Sequence, residues 1–256
     1  MLLTLPVREV FQATPRARIV RLDLGGRRFA FEPGQAVTVG LQGARRSPYS
    51  IASSPDDAEN DGCLELLIGT EGNTPEFQES LRPGLQLDVQ GPLGRFTFDG
   101  RTGERRFAFL AAGTGIAPLR AMLRHAVQDP RNHVTMIYSA RTPDEFAYQD
   151  ELQRLAQAGR IGLHLSVTRH HAMRTWHDGR GRIGREHTQQ IVRQGAPVCY
   201  ICGPTAFVSQ TRRLLIDAGL PQDRVRVEEW LLPRPAPLAA SVPAGLAGVV
   251  PSLAAS

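Results

Sequence analysis

The sequence predicts a β plus α/β protein: an antiparallel barrel or sandwich, followed by a doubly wound parallel sheet with helices on both faces. Three observations carry this. Up to Phe98 the chain is a series of short β-branched or alternating runs separated by Gly, Pro and Asp. The polar stretch GRTGERR at 100–106 has no apolar period and divides the chain, and beyond it strand-like and helix-like patterns alternate. The expected organisation is therefore a β domain over residues 1–100, an α/β domain over 106–230 and a tail over 231–256.

In order, the first-domain strands are VREVFQA, RIVRLDL, AVTVGL, YSIAS, CLELLIG and LQLDVQG. One short helix interrupts them, opening at Thr74-Pro75, running through Glu76, Phe77 and Leu81, and stopped by Pro83-Gly84. The second domain begins with the strand RFAFLAA and a helix from Pro118 with apolar positions at Leu119, Met122, Leu123 and Ala126. The strand HVTMIYSA, a helix from Pro143 to Ala158 and the strand GLHLSVT follow. After a loop come a helix from Glu186 to Arg193, the strand PVCYICG, a helix from Pro204 to Ala218 closed by Gly219, and the strand RVRVEEW. The 26 residues from Leu231 to Ser256 hold five Pro, seven Ala and a single charge, Arg234, and keep no helical or strand period. A disordered or loosely docked tail is expected there.

Composition narrows the chemistry. At 256 residues, with 41% hydrophobic and 21% charged residues, the chain can build ordinary cores. All 30 residues counted as Lys plus Arg are Arg. A Schiff-base lysine, a pyridoxal-anchoring lysine and a P-loop lysine are thereby excluded, and anions must be met by guanidinium groups, backbone amides and helix ends. The net charge of +5 favours acidic ligands or partners. The stretch from Arg160 to Arg193 holds seven Arg and five His but lacks the aromatic interleaving of a single-strand binding groove, so no nucleic-acid partner is expected.

The three cysteines, Cys63, Cys199 and Cys202, cannot form a disulfide framework and point to a reducing compartment. Cys199 and Cys202 form a CxxC in letters only, because a spacing of three along a strand puts them on opposite faces. Without a second cysteine pair no four-thiolate iron–sulfur cluster can be built by these residues, and no metal site is expected. The opening MLLTLPVREVF lacks a basic leader with an apolar core, and no apolar run approaches the ~20 residues of a membrane span, so a soluble cytoplasmic protein without a membrane partner is expected.

Candidate chemistry sits at strand ends. In FLAAGTGIAP, residues 109–118, Gly113, Thr114 and Gly115 form a strand-to-helix turn, and Pro118 is pre-set for the first helical turn. Free N–H groups and the helix dipole there suit a phosphate. The other strand ends of the same sheet carry Ser139 with Arg141, Thr168 with Arg169, and Cys202-Gly203-Pro204, all expected to converge on one crevice. A hydroxyl and a guanidinium at the second strand end suit a ribose or its 2′-phosphate. In ARRSPYSIASSP, residues 44–55, an arginine able to hold a pyrophosphate precedes Tyr49, whose ring can stack on a flat heterocycle, and Ser50 on the other side of the pleat.

Five segments occur together in one order: Arg46…Tyr49-Ser50, GPLGRF at 91–96, GTGIAP at 113–118, CGP at 202–204, and a terminal strand ending Glu228-Glu229-Trp230. Over about residues 5–230 the sequence resembles the ferredoxin–NADP reductase-like flavoprotein superfamily, particularly the reductases that feed electrons to oxygenases. The resemblance implies a six-stranded antiparallel barrel holding FAD and a five-stranded parallel domain binding NADPH or NADH. It implies that Tyr49 stacks on the isoalloxazine, that Ser50 hydrogen-bonds near its N5, and that Arg46 clamps the FAD pyrophosphate with Asn73, Thr74 and neighbouring N–H groups. Two residues separate Arg46 from Tyr49 where the family has one, which leaves Arg45 as an alternative. By the same resemblance GTGIAP cradles the nicotinamide-dinucleotide pyrophosphate, Cys202 and Glu228 flank the nicotinamide, and Trp230 contacts the flavin.

The function so implied is FAD-dependent NAD(P)H oxidation with electrons passed to a separate, acidic acceptor protein, a ferredoxin or an oxygenase component. Two alternatives stay open: a flavin or small-molecule reductase needing no protein partner, and a non-catalytic flavin- or nucleotide-sensing module. Arg141 and Arg169 tilt the coenzyme toward NADPH, because a 2′-phosphate wants guanidinium contacts.

Overall fold

In the computed structural model, residues 1–70, 74–98, 100, 103–169, 176 and 178–228 are described. Strands β1 (Leu2–Thr14), β2 (Ala17–Asp23), β3 (Ala36–Leu41), β4 (Ser47–Ser50), β5 (Cys63–Gly69) and β6 (Gln86–Leu93) form one antiparallel sheet, ordered β4-β3-β6-β1-β2-β5. Its two ends meet. Just past β4, Ile51 bridges Leu66 of β5, and the Ala52 N–H donates to the Glu65 carbonyl at 2.8 Å. The sheet is therefore a closed barrel, which settles the choice between barrel and sandwich. Its interior is the set of alternating positions Leu5, Val7, Val20, Leu22, Val37, Leu64, Leu66, Ile68, Leu87 and Val89, all buried. Each fully buried side chain contributes roughly 1.5–3 kcal/mol by leaving water.

Two short helices flank the barrel where one was expected. Helix α2 (Pro75–Ser80) opens at Thr74 as predicted. Helix α1 (Pro55–Asp61) is the addition: Ser54 and Asp57 form a reciprocal capping box, Pro55 sits in the first turn, and Gly62 closes it at φ 66°. With one buried residue, Ala58, α1 is too short to show an apolar period, so only its cap chemistry was legible.

The second sheet joins β7 (Arg106–Ala112), β8 (His133–Ala140), β9 (Gly162–Val167), β10 (Gly179–Arg180), β11 (Val198–Cys202) and β12 (Val225–Val227) in the order β10-β9-β8-β7-β11-β12, all parallel. It has six strands rather than the expected five, because the two-residue edge strand β10 carries no period for a sequence to display. Helices α3 (Ile116–Ala126) and α4 (Gln149–Gln157) cover one face, and α5 (Arg185–Arg193) and α6 (Thr205–Asp217) the other. Cys202 and Cys199 lie in the cores on opposite faces, as their odd spacing requires.

The helix expected from Pro143 to Ala158 is broken in two. A single 3₁₀ turn, Pro143–Glu145, ends at Phe146, and α4 starts only after Tyr148, which sits at φ 60°. A left-handed tyrosine costs about 1–2 kcal/mol. Tertiary contacts hold the break: the Ala147 N–H donates to the buried Tyr138 hydroxyl at 3.3 Å, and the Arg120 guanidinium lies 4.3 Å from the Tyr148 ring centre.

Candidate active site

The chain leaves β7 to build β8, β9 and β10 on one side, then returns to place β11 and β12 on the other. The strand order reverses between β7 and β11, and the crevice beyond their carboxyl ends is where such sheets bind ligands. The Gly113–Gly115 3₁₀ turn follows β7, and Cys202-Gly203-Pro204 follows β11. The two turns touch: a Cβ on Gly115 would lie 2.4 Å from the Cys202 carbonyl oxygen, so only glycine lets these backbones meet.

The barrel closes the crevice from the other side, leaving a cleft of about 690 Å³. Of the predicted residues, Tyr49, Ser50, Gly113, Thr114, Gly115, Ser139, Arg141, Cys202, Gly203, Pro204 and Glu228 all line it, as does Thr168. Three polar groups meet at the seam. The Ser50 hydroxyl donates to Glu228 Oε1 at 3.1 Å, and the Cys202 thiol donates to Glu228 Oε2 at 2.7 Å. Glu228 is carried there by the end of β12, where its N–H donates to the Ile201 carbonyl at 3.2 Å.

The other predicted residues lie elsewhere. Arg46 reaches over the barrel wall to Gln90 Oε1 at 3.2 Å and to Asp88 at 4.0 Å. Pro118 is buried within α3, Arg169 is exposed past the end of β9, and Thr74 caps α2 by accepting from the Phe77 N–H at 3.3 Å. Asn73 and Trp230, like the tail from 231 to 256, fall outside the described residues.

Three charged residues lining the cleft, Arg16, Glu145 and Arg182, escaped the sequence reading. Arg16, in the turn joining β1 to β2, reaches across to Glu145 at 2.8 Å, and Glu145 also accepts from the Arg141 N–H at 3.4 Å. Arg182 lines the cleft from the segment between β10 and α5. That segment is pinned by the Gly181 N–H on the Val167 carbonyl, by Ser166 Oγ on the Gly181 carbonyl, and by the Gly184 N–H on His187 Nδ1, with His187 Nε2 2.9 Å from His164 Nε2. Nothing in the local sequence marks Arg16 or Arg182, because their approach to the cleft depends on contacts far along the chain.

Burial pushes the Cys202 thiol well above its usual range, and the neighbouring Glu228 carboxylate raises it further. Burial likewise pushes Cys199 up to about 12 and raises Cys63. These thiols therefore stay protonated in the folded state at neutral pH. In the unfolded chain they ionise near pH 9, so the stability they contribute is present below pH 9 and is lost as pH rises through their folded-state values, about 12 for Cys199. Thermal melts are expected to fall steadily above pH 9, by up to about 1.4 kcal/mol per pH unit for each buried thiol. A melting temperature that stays flat from pH 9 to 11 would contradict this.

The cleft suits a dinucleotide. The α3 N-terminus has no side-chain cap and no acidic residue in its first turn, so its amides and dipole face the cleft without a competing anion. A Cβ on Gly113 would meet nothing within 4 Å, which leaves room above the loop. Arg16, Arg141 and Arg182 add guanidinium groups, and Tyr49 an aromatic wall. An antiparallel barrel and a nucleotide-type parallel sheet sharing one polar, aromatic-walled cleft define a two-cofactor oxidoreductase.

A family model described as the oxidoreductase FAD-binding domain matches residues 4–98, and one described as the oxidoreductase NAD-binding domain matches residues 109–213. The chain is 33% identical over 218 residues to ferredoxin–NADP reductase B of Sorangium cellulosum, covering 80% of this chain and 87% of that one. It is 28% identical over 221 residues to the glycine betaine monooxygenase reductase subunit of Pseudomonas aeruginosa, covering 84% of this chain and 60% of that protein. Its fold matches that of the ferredoxin reductase in carbazole 1,9a-dioxygenase with a TM-score of 0.74 at 22% identity, over 89% of this chain and 68% of the other. The chain belongs to the ferredoxin–NADP reductase-like flavoprotein family. It is an NAD(P)H-dependent oxidoreductase whose cofactor is FAD.

Proposed function

We propose that this protein is the reductase of a two-protein electron-transfer pair, taking electrons from NAD(P)H and delivering them to a separate acidic acceptor, a ferredoxin or an oxygenase component. The observation that carries the reductive half is the Ser50–Glu228–Cys202 cluster, which joins barrel and nucleotide sheet at the seam of the cleft. The acceptor side is supported by the printed names of two relatives, a ferredoxin–NADP reductase and a monooxygenase reductase subunit. FAD, when bound, supplies acceptance of a hydride and onward release of single electrons.

The protein's own part is to bind, orient and exclude water. In this reading Tyr49 offers its ring to the isoalloxazine, and the Ser50 hydroxyl holds a hydrogen bond beside it. Arg46 or Arg45, with Asn73 and Thr74, would hold the FAD pyrophosphate, and Trp230 would contact the flavin. The Gly113-Thr114-Gly115 loop and the α3 N-terminus receive the coenzyme pyrophosphate. Cys202, Gly203, Pro204 and Glu228 form the wall against which the nicotinamide rests. No acid–base pair is required, because the chemistry belongs to the two cofactors once near-attack geometry is held.

Anaerobic reduction followed by rapid mixing with candidate ferredoxins, free flavin or ferric chelates tests the reading. Fast oxidation by a ferredoxin, with slow transfer to free flavin, is expected. The reverse order would favour a reductase that needs no protein partner, and a flavin left oxidised by both NADPH and NADH would remove the enzyme reading altogether.

Ser139, Arg141 and Arg182, which line the cleft, support NADPH over NADH. Arg141→Ala is expected to raise KM for NADPH about tenfold while changing that for NADH less than about threefold, as loss of one charge-assisted phosphate contact would do. Equal effects on both coenzymes in steady-state assays would refute the preference.

A further inference from the structure

Arg120 lies on α3, one turn beyond Ile116, and is 8% exposed. Its Nη1 donates to the Ala52 carbonyl at 2.8 Å and to Glu65 Oε1 at 2.9 Å, while its Nε donates to Glu151 Oε2 at 2.8 Å. Ala52 and Glu65 belong to the barrel, where Ile51 and Leu66 close it; Glu151 belongs to α4. One turn further along α3, Arg124 donates to Glu151 Oε1 at 2.8 Å and clasps Asp57 of α1, with Nη2 2.6 Å from Asp57 Oδ1.

These contacts complete a ring. From Ser50 the chain runs two residues to Ala52, whose carbonyl is held by Arg120. Helix α3 leads back from Arg120 to Gly115, whose backbone abuts the Cys202 carbonyl. Cys202 bonds to Glu228, and Glu228 to Ser50. The direct bonds across the cleft are thus backed by one rigid helix and one buried guanidinium on its far side.

We propose that Arg120 is a positioning residue for electron transfer: by tying α3 to the carbonyl two residues past Ser50, it sets the spacing between the Ser50 wall and the Cys202–Glu228 wall. The inference rests on the reading that these walls align the two cofactors. The acceptors are served from two separate nitrogens of one planar guanidinium, Nη1 and Nε, whereas the three donors of an ammonium spring from a single atom, so lysine does not reproduce the geometry. A shift of about 1 Å at the reacting centre costs on the order of 100-fold in rate, so a spacer need not touch a cofactor to matter.

The test uses the full chain loaded with FAD, and in parallel without it. In Arg120→Met, the rate constant for flavin reduction at saturating coenzyme is expected to fall about 10–100-fold with the dissociation constants for FAD and coenzyme within about threefold. In the FAD-free protein, peptide-resolved alkylation of Cys202 is expected to speed up about tenfold while Cys63 and Cys199 stay at their wild-type rates, because only the cleft seam opens. Leu220→Ala, which cuts the core at the end of α6 far from the cleft, is expected to lower thermal stability without either effect. If Arg120→Met does not fold, Arg120→Lys is expected to show both effects more weakly. All three thiols speeding up together, or either readout staying at its wild-type level, overturns the proposal. A wild-type flavin that coenzyme cannot reduce overturns instead the reading of the walls on which it rests.

Discussion

Gly115→Ala is expected to abolish most coenzyme-dependent flavin reduction, by at least about 100-fold, while leaving FAD binding by the barrel within a few-fold of wild type. The backbone there has an ordinary helical φ of −62°, so the substitution is not opposed by torsional strain. It is opposed by space: the new Cβ would sit 2.4 Å from the Cys202 carbonyl oxygen, 2.5 Å from its carbon and 2.6 Å from the Gly203 nitrogen. All three are backbone atoms, and no rotamer change can relieve them. Either the α3 N-terminus or the end of β11 must move, and both are walls of the coenzyme half of the cleft. Overpacking of this kind costs about 1–3 kcal/mol in stability, which a thermal melt would register alongside the lost reduction. Gly113→Ala makes the contrast, since at φ 54° its cost is conformational while its Cβ would meet nothing within 4 Å. Near wild-type flavin reduction in Gly115→Ala would mean that the contact between the two turns does not shape the site.

Glu228→Gln should have the second largest effect. The Glu228 carboxylate accepts from Ser50 on the barrel and from Cys202 on the sheet, so it is an acceptor common to both sides of the seam. An amide of the same shape keeps one acceptor oxygen and presents a donor in place of the other, so Ser50 and Cys202 can no longer both donate to it. A loss of about 10–100-fold in the reduction rate is expected, with a smaller effect on FAD affinity. A second signature separates this from simple loosening. Burial is the main reason the Cys202 thiol resists ionisation, and the Glu228 charge adds to it. Removing the charge lowers the thiol toward its ordinary range, so Cys202 alkylation should begin at lower pH than in the wild type. An unchanged pH profile of labelling would show that the carboxylate does not act on the thiol.

Several parts of the molecule were legible from local sequence alone. The alternating runs that end with LQLDVQG report the strand period, because a strand with one buried face must repeat every two residues, while the apolar runs of the second half mark strands buried on both faces. The turn at Gly113–Gly115 announced itself through its glycines, and the odd spacing of Cys199 and Cys202 put them on opposite faces, where the structure has them. The absence of lysine leaves anions to guanidinium groups, backbone amides and helix ends.

Other features have no local signature. Helix α1, marked locally by its cap alone, and the two residues of β10 are too short for a period to emerge. The break before α4 is imposed by Tyr138 and Arg120 against a sequence that favours continuous helix. Ser50 and Glu228 meet across 178 residues, Arg16 and Glu145 across 129, and Arg120 and Glu65 across 55. The sequence by itself determined the longer strands, most of the longer helices and the glycine turn after β7, because those depend on side-chain spacing and on glycine and proline at single positions. Only the tertiary structure decided that the barrel closes through Ile51 and Leu66, that Arg16 and Arg182 reach the cleft, and that Arg120 stands behind Ser50. The physical reason is that such contacts are selected by the joint packing of distant segments, and neither partner's neighbourhood in the chain carries any trace of the other.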